Sequence, residues 1–201
     1  MEHKKMIALT FDDGPSDLTE RLVSILLENG ASATLFVVGE RIDEHNAALC
    51  LAASSGLEIG NHTFSHRPMT YLTDDEIKAE ISSTAEMIAA ATGSSTLLVR
   101  PPYGDLDDRV SAIGRDMGVT FIGWAVDTSD WSTDNADSTC RAILENACDG
   151  DIILCHETYS STLDAVQKAI PALKAQGFEL VTVSQLLGSS PIAGKLYRKA
   201  E

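Results

Sequence analysis

Two adjacent carboxylates, Asp12 and Asp13, close an apolar run and stand directly before Gly14-Pro15. Neighbouring like charges repel, so each needs a partner of its own. One could bind a cation while the other takes a proton. Taken alone, the pair equally suits a turn whose Asp caps the next helix. Further on, His62-Thr63-Phe64-Ser65-His66 is bounded by Gly60 and Pro68. Two histidines four apart can share one metal ion if the segment makes a single helical turn. As an isolated pattern, two surface histidines fit as well. A carboxylate from the first cluster plus these imidazoles would make a facial set of three ligands, which leaves positions open for water and substrate.

Three further clusters carry chemistry. Arg100-Pro101-Pro102-Tyr103-Gly104 joins two prolines that fix the backbone to a glycine that permits a tight turn. Arg100 could pair with a buried carboxylate, and the Tyr103 backbone N–H could face a developing oxyanion. A rigid loop with a surface Arg is the plainer alternative. Asp127-Thr128-Ser129-Asp130-Trp131 sets a Trp beside carboxylates, either as a platform for a sugar face or as a ring closing the core. In Ile153-Leu154-Cys155-His156, strand alternation puts Leu154 and His156 on one face and turns Cys155 away. An apolar wall beside an imidazole is what a methyl pocket next to a general acid requires, although a strand-end His is commonly a hydrogen-bonded structural residue.

The elements that must position these clusters alternate short β-rich runs with helical patterns. Strands are predicted over residues 6–11, 33–38, 57–60, 97–100, 119–124, 152–155 and 178–183. Leu18, Leu22, Ile25 and Leu26 share a helical face stopped by Gly30, and a second helix over 44–54 stops at Gly56. Thr73 and Glu76 form a capping box ahead of Ile77, Ile81, Ala85 and Ile88, and Gly93 closes that helix. Helices over 107–117, 135–148 and 162–176 complete the set. This β-then-α rhythm, repeated about seven times, predicts an α/β fold with a mainly parallel sheet, closed as a barrel or doubly wound. All five clusters fall at strand C-terminal ends, where such folds build their sites. No linker divides residues 1–188, and 189–201 reads as a polar tail with little to pack.

Length and composition bound the function. The chain has 201 residues, enough for one domain with a full core, and its 44% hydrophobic and 22% charged content is that of a soluble globular protein. Its formal charge of −15, with no basic run, argues against nucleic acid as a partner. No apolar run approaches the roughly 18 residues of a membrane span. The start, Met1-Glu2-His3-Lys4-Lys5, lacks the apolar region and cleavage site of a secretory signal. Cys50, Cys140, Cys148 and Cys155 match no metal knuckle or redox motif. Cys155 is expected to be buried. A Cys140–Cys148 bridge is open, but nothing indicates it. The sequence sets no oligomeric state.

Together and in this order, the clusters closely resemble the five motifs of the polysaccharide deacetylases of NodB-homology type, carbohydrate esterase family four. Those motifs are T-F-D-D-G-P, H-[ST]-x-x-H, R-x-P-[YF]-G, D-x-x-D-W and L-x-H, and residues 10–156 carry all of them without a substitution at a defining position. The resemblance implies a distorted (β/α) barrel, usually seven-stranded, with an open groove at the strand C-terminal ends. It implies that Asp13, His62 and His66 bind one divalent cation, commonly zinc, sometimes cobalt or another first-row metal. Asp12 is then the general base, Arg100 pairs with it and keeps it ionised, and the Tyr103 N–H stabilises the oxyanion. His156 is the general acid tuned by Asp130, and Leu154 and Trp131 form the acetyl-methyl pocket.

The implied reaction removes acetyl groups from an acetylated polysaccharide or oligosaccharide, such as peptidoglycan or chitin oligomers, in a secreted or cell-surface setting. The same machinery serves an acetylxylan esterase, and the five motifs do not discriminate. A catalytically inactive carbohydrate-binding domain on this fold would be supported by loss of Asp12 or a ligand, and both are intact. An unrelated phosphoesterase barrel would carry further carboxylates for a second metal.

Overall fold

The computed structural model of the chain describes residues 4–188 and 191–200. Its centre is β1 (Lys5–Gly14), buried along nearly its whole length. β2 (Thr34–Val37) and β7 (Ile152–His156) pair with its exit half, and β8 (Phe178–Leu180) pairs with Lys5, Met6 and Ile7. Beyond β2 lie β3 (Glu58–Asn61), β4 (Leu98–Val99) and β5 (Thr120–Ile122), and β6 (Val126–Asp127) flanks β7. Every strand pair is parallel. The sheet curls into the expected α/β distorted barrel.

Side-chain alternation along β1 separates two cores. Ile7, Leu9 and Phe11 face outward and pack with Leu22 and Leu26 of α1 (Thr19–Glu28) and with Val166 and Ile170 of α7 (Ser160–Ala175). Ala8 belongs to the other cluster, with Phe36, Ile122, Ile152 and Tyr197. Covering both faces is what makes these strands read as continuous apolar runs. A third cluster sets α3 (Asp74–Thr92) and α4 (Asp108–Met117) against β4 and β5. There Gly114 is required by close approach, since a Cβ would lie 2.3 Å from the Phe121 ring. The α3 capping box forms as expected, and Gly93 closes the helix in the left-handed region at φ 72°.

Four expectations are corrected. The barrel uses nine short strands among the described residues rather than seven. The run at 119–124 stops at Ile122, turns through Gly123, and resumes as β6. The run at 178–183 stops at Leu180, because Thr182 caps a short helix, α8 (Val183–Leu187). Finally, the segment read as a polar tail with little to pack supplies β9 (Leu196–Tyr197), which pairs with Phe121 and Ile122 of β5. An open strand edge needs backbone partners, and two apolar residues among polar ones give too short a pattern to read. Ser189, Ser190 and Glu201 of that segment lie outside the described residues. Among the described residues no helix is long and apolar enough to cross a membrane. All four cysteines are free thiols, with Cys155 fully buried.

Candidate active site

β1 aims the first cluster. Thr10 and Asp12 share the face of Ala8, toward the barrel interior, where Arg100 meets them from the end of β4. The Arg100 guanidinium is fully buried. Its Nη1 donates to Asp12 Oδ1 at 2.6 Å and to Thr10 Oγ1 at 2.7 Å. Its Nε and Nη2 donate to the Ile122 and Gly123 carbonyls at 3.2 and 3.0 Å, and its Cζ lies over the Phe36 ring, 4.1 Å from the centroid. The surface-Arg alternative is thereby excluded. The pairing does not hold the Asp12 carboxyl in the ordinary range, however. Burial pushes it up and outweighs the opposing pull of Arg100 and then His156.

Asp13, His62 and His66 converge beside this pair, with their ligand atoms all within 4.8 Å of one another. His66 Nε2 lies 3.2 Å from Asp13 Oδ1, and His62 Nε2 lies 3.6 Å from the same oxygen and 3.5 Å from Asp12 Oδ2. His62 Nδ1 sits 2.7 Å from the Arg100 carbonyl, which assigns its proton to Nδ1 and leaves Nε2 free as a donor atom. Burial holds His62 down to about 3, so it is neutral, the form that binds a metal. Two imidazole nitrogens and one carboxylate oxygen at this spacing fit a divalent cation. The histidines do not share a helical turn, as the spacing suggested. They flank an irregular loop after β3 in which Thr63 and His66 take left-handed backbone, at φ 65° and 55°. This loop, rather than helical periodicity, brings the two rings to 4.8 Å.

Opposite, His156 ends β7 and Asp130 opens the single turn α5 (Asp130–Thr133). His156 Nδ1 lies 2.8 Å from Asp130 Oδ1, and Asp130 Oδ2 accepts the His156 backbone N–H at 2.7 Å and the Thr162 hydroxyl at 2.8 Å. Burial alone would lower His156, but the Asp130 hydrogen bond and charge raise it above the ordinary imidazole range. Burial likewise works against Asp130, yet the bonds from His156 and Thr162 hold it below the ordinary carboxylate range.

A cavity of about 580 Å³ joins these groups. Asp12, Asp13, His62, His66, Tyr103, Trp131, Leu154 and His156 line it. Tyr103 and Trp131 are largely exposed, so Trp131 does not close the core. Tyr103 has φ 60°, and its ring stands 4.8 Å from that of His66. Leu154 and His156 share the cavity face while Cys155 joins the outer core, as strand alternation requires.

Trp124 and Tyr159 also line the cavity and were not singled out from the sequence, as does Asp127, which opens the fourth cluster but was given no role of its own. Asp127 and Tyr159 lie within three residues of assigned positions, so a search along the strand-end loops reaches them. Trp124 was read only as the end of a strand. Glu157 was missed as well. It is fully buried beneath Gly14, accepts from the Thr19 and Ser16 hydroxyls, and keeps Oε2 unpartnered. Burial raises its carboxyl to about 7.

Residues 1–122 match the family model described as polysaccharide deacetylase. Over 96% of its length the chain is 33% identical to the peptidoglycan-N-acetylglucosamine deacetylase PgdA of Listeria monocytogenes, and the match spans only 41% of that relative. A peptidoglycan-N-acetylglucosamine deacetylase of Bacillus cereus is 32% identical, with 94% of this chain and 70% of the relative covered. Among solved structures, the peptidoglycan deacetylase PdaC of Bacillus subtilis superposes with a TM-score of 0.86 at 37% identity, covering 91% of this chain and 90% of that one.

Proposed function

The chain belongs to the polysaccharide deacetylase family, and from that premise we propose that it hydrolyses N-acetyl groups from N-acetylglucosamine units of a glycan, peptidoglycan first, at the cell surface. The observation that carries this reading is the convergence in one cavity of a three-ligand set, a buried carboxylate and a carboxylate-linked histidine. Residues 1–188, completed by β9, form the catalytic unit.

Asp13, His62 and His66 would hold a divalent cation, zinc foremost and cobalt next, which when bound would supply Lewis acidity and ease the deprotonation of a water. Asp12 receives the proton of that water. Arg100 occupies Oδ1 at 2.6 Å, so Oδ2 is the basic atom. The Tyr103 backbone N–H stabilises charge on the carbonyl oxygen. His156, held through Nδ1 by Asp130, presents Nε2 to the leaving nitrogen and protonates it as the C–N bond breaks. Leu154 and Trp131 enclose the acetyl methyl, and Trp124 and Tyr159 offer ring faces to the sugars.

The deciding measurement is acetate release from N-acetylglucosamine oligomers, peptidoglycan and acetylated xylan, using stripped and zinc- or cobalt-reloaded protein. Metal-dependent release from an N-acetylated glycan is expected. Release from acetylated xylan alone reassigns the substrate to an ester, and no release from metal-loaded protein removes the enzymatic reading.

A further inference from the structure

We propose that Glu80 of α3 is a positioning residue for the cation site, clamping the 62–66 loop in the conformation that aims His62 and His66 at Asp13. This rests on the ligand set proposed above. Glu80 lies outside all five motifs, and among the described residues its hydrogen bonds and ion pairs go to Phe64, Ser65 and Arg67 rather than to a ligand side chain. Its carboxylate is nevertheless buried, at 5% exposure. Four donors from the ligand loop and its flank converge on it. Oε2 accepts the backbone N–H groups of Phe64 and Ser65, each at 2.8 Å. Oε1 accepts the Ser65 hydroxyl at 2.5 Å and Arg67 Nη2 at 3.0 Å. Although burial works the other way, these bonds hold the carboxyl below its ordinary range.

The loop needs such a hold. Thr63 and His66 are non-glycine residues in left-handed backbone, and one of them is β-branched. Conformations of this kind persist only where surrounding groups over-determine them. Asn61 secures the start of the loop, accepting the Thr63 N–H at 2.8 Å and donating to the Ile81 carbonyl at 2.8 Å. Glu80 secures the middle, immediately before His66. Both anchors lead to the same turn of α3, so that helix acts as the template for the ligand loop. Without Glu80, the peptide before His66 relaxes and swings the imidazole away from Asp13. A carboxylate is the required group because all four partners are donors. An amide puts an NH2 against two of them.

The test compares Glu80→Gln and Glu80→Ala with wild type. It reads zinc affinity by competition with a chromophoric chelator, visible absorption of the cobalt-loaded protein, and Tm after metal stripping. Asn135→Ala, which removes the N-cap of α6 (Ala136–Asn146), is the control for stability loss alone. Zinc affinity should fall roughly 10-fold in the Gln variant and roughly 100-fold in the Ala variant, with altered cobalt bands. Asn135→Ala should lower Tm and leave affinity and bands unchanged. If the Ala variant does not fold, the Gln variant, which keeps the volume, decides. Wild-type affinity and bands in a folded Glu80 variant overturn the clamp. Wild-type protein that takes up neither metal overturns the ligand set and the clamp with it.

Discussion

Asp130 grips His156 at two points, taking its ring Nδ1 at 2.8 Å and its backbone N–H at 2.7 Å with separate oxygens. One carboxylate therefore fixes both where the imidazole stands and which nitrogen carries the proton toward the cavity. The same contact raises the imidazole's proton affinity against its burial.

Asp130→Asn keeps an oxygen for the ring N–H but removes the charge. His156 then loses its proton at lower pH, so the alkaline limb of the kcat/KM profile should move down. At pH 8 the loss should reach roughly 10- to 100-fold. An unmoved alkaline limb would remove His156 as the acid.

Asp12 and Asp13 are adjacent yet should fail differently. Asp13→Ala should abolish both zinc content and activity. Asp12→Asn should retain zinc and lose roughly 10²- to 10⁴-fold in kcat, the usual range for a general base. Metal analysis beside turnover separates them. Near-normal turnover in Asp12→Asn refutes the base assignment.

Arg100 is a buried cation that serves Thr10, Asp12 and two carbonyls at once. Arg100→Met leaves Asp12 buried without its partner and should cost about 3–5 kcal/mol in urea unfolding. Arg100→Lys restores the charge but not the planar fork, and should recover only part of this. A lysine variant as stable as wild type would show that charge alone suffices.

Glu157 offers a stability test independent of turnover. Its carboxyl is raised from 4.5 to about 7 by burial. A raised folded-state pKa means that its contribution is full below about 4.5 and is lost as pH rises through about 7. Glu157→Gln does not titrate. Wild type should therefore lose on the order of 2–3 kcal/mol relative to that variant between pH 4.5 and 8. Denaturant midpoints that run parallel across this window contradict the burial argument.

The sequence made the strand ends legible because buried parallel strands are apolar runs and five of the seven runs stop at or just before residues with chemistry. Asp12, His62, Arg100 and His156 could be named for that reason; Asp12, His62 and His156 line one cavity, and Arg100 lies buried behind it, bonded to Asp12. Glu80 could not. In the sequence it is one acid among several on α3, and its partners are mainly backbone N–H groups of a loop whose conformation no pattern encodes. Thr162 is similar, since an ordinary helix residue becomes a ligand of Asp130 only through the packing of α7. The left-handed residues Thr63 and His66 were hidden as well, because neither is a glycine.

The place of β9 has a consequence for biosynthesis. Leu196 and Tyr197 pair with Phe121 and Ile122, so a strand laid down early must wait for one that leaves the ribosome much later. In that interval the β5 edge offers unsatisfied backbone groups beside an apolar surface, the condition under which nascent chains aggregate or recruit chaperones. Slow translation of the last third of the chain would lengthen that exposure.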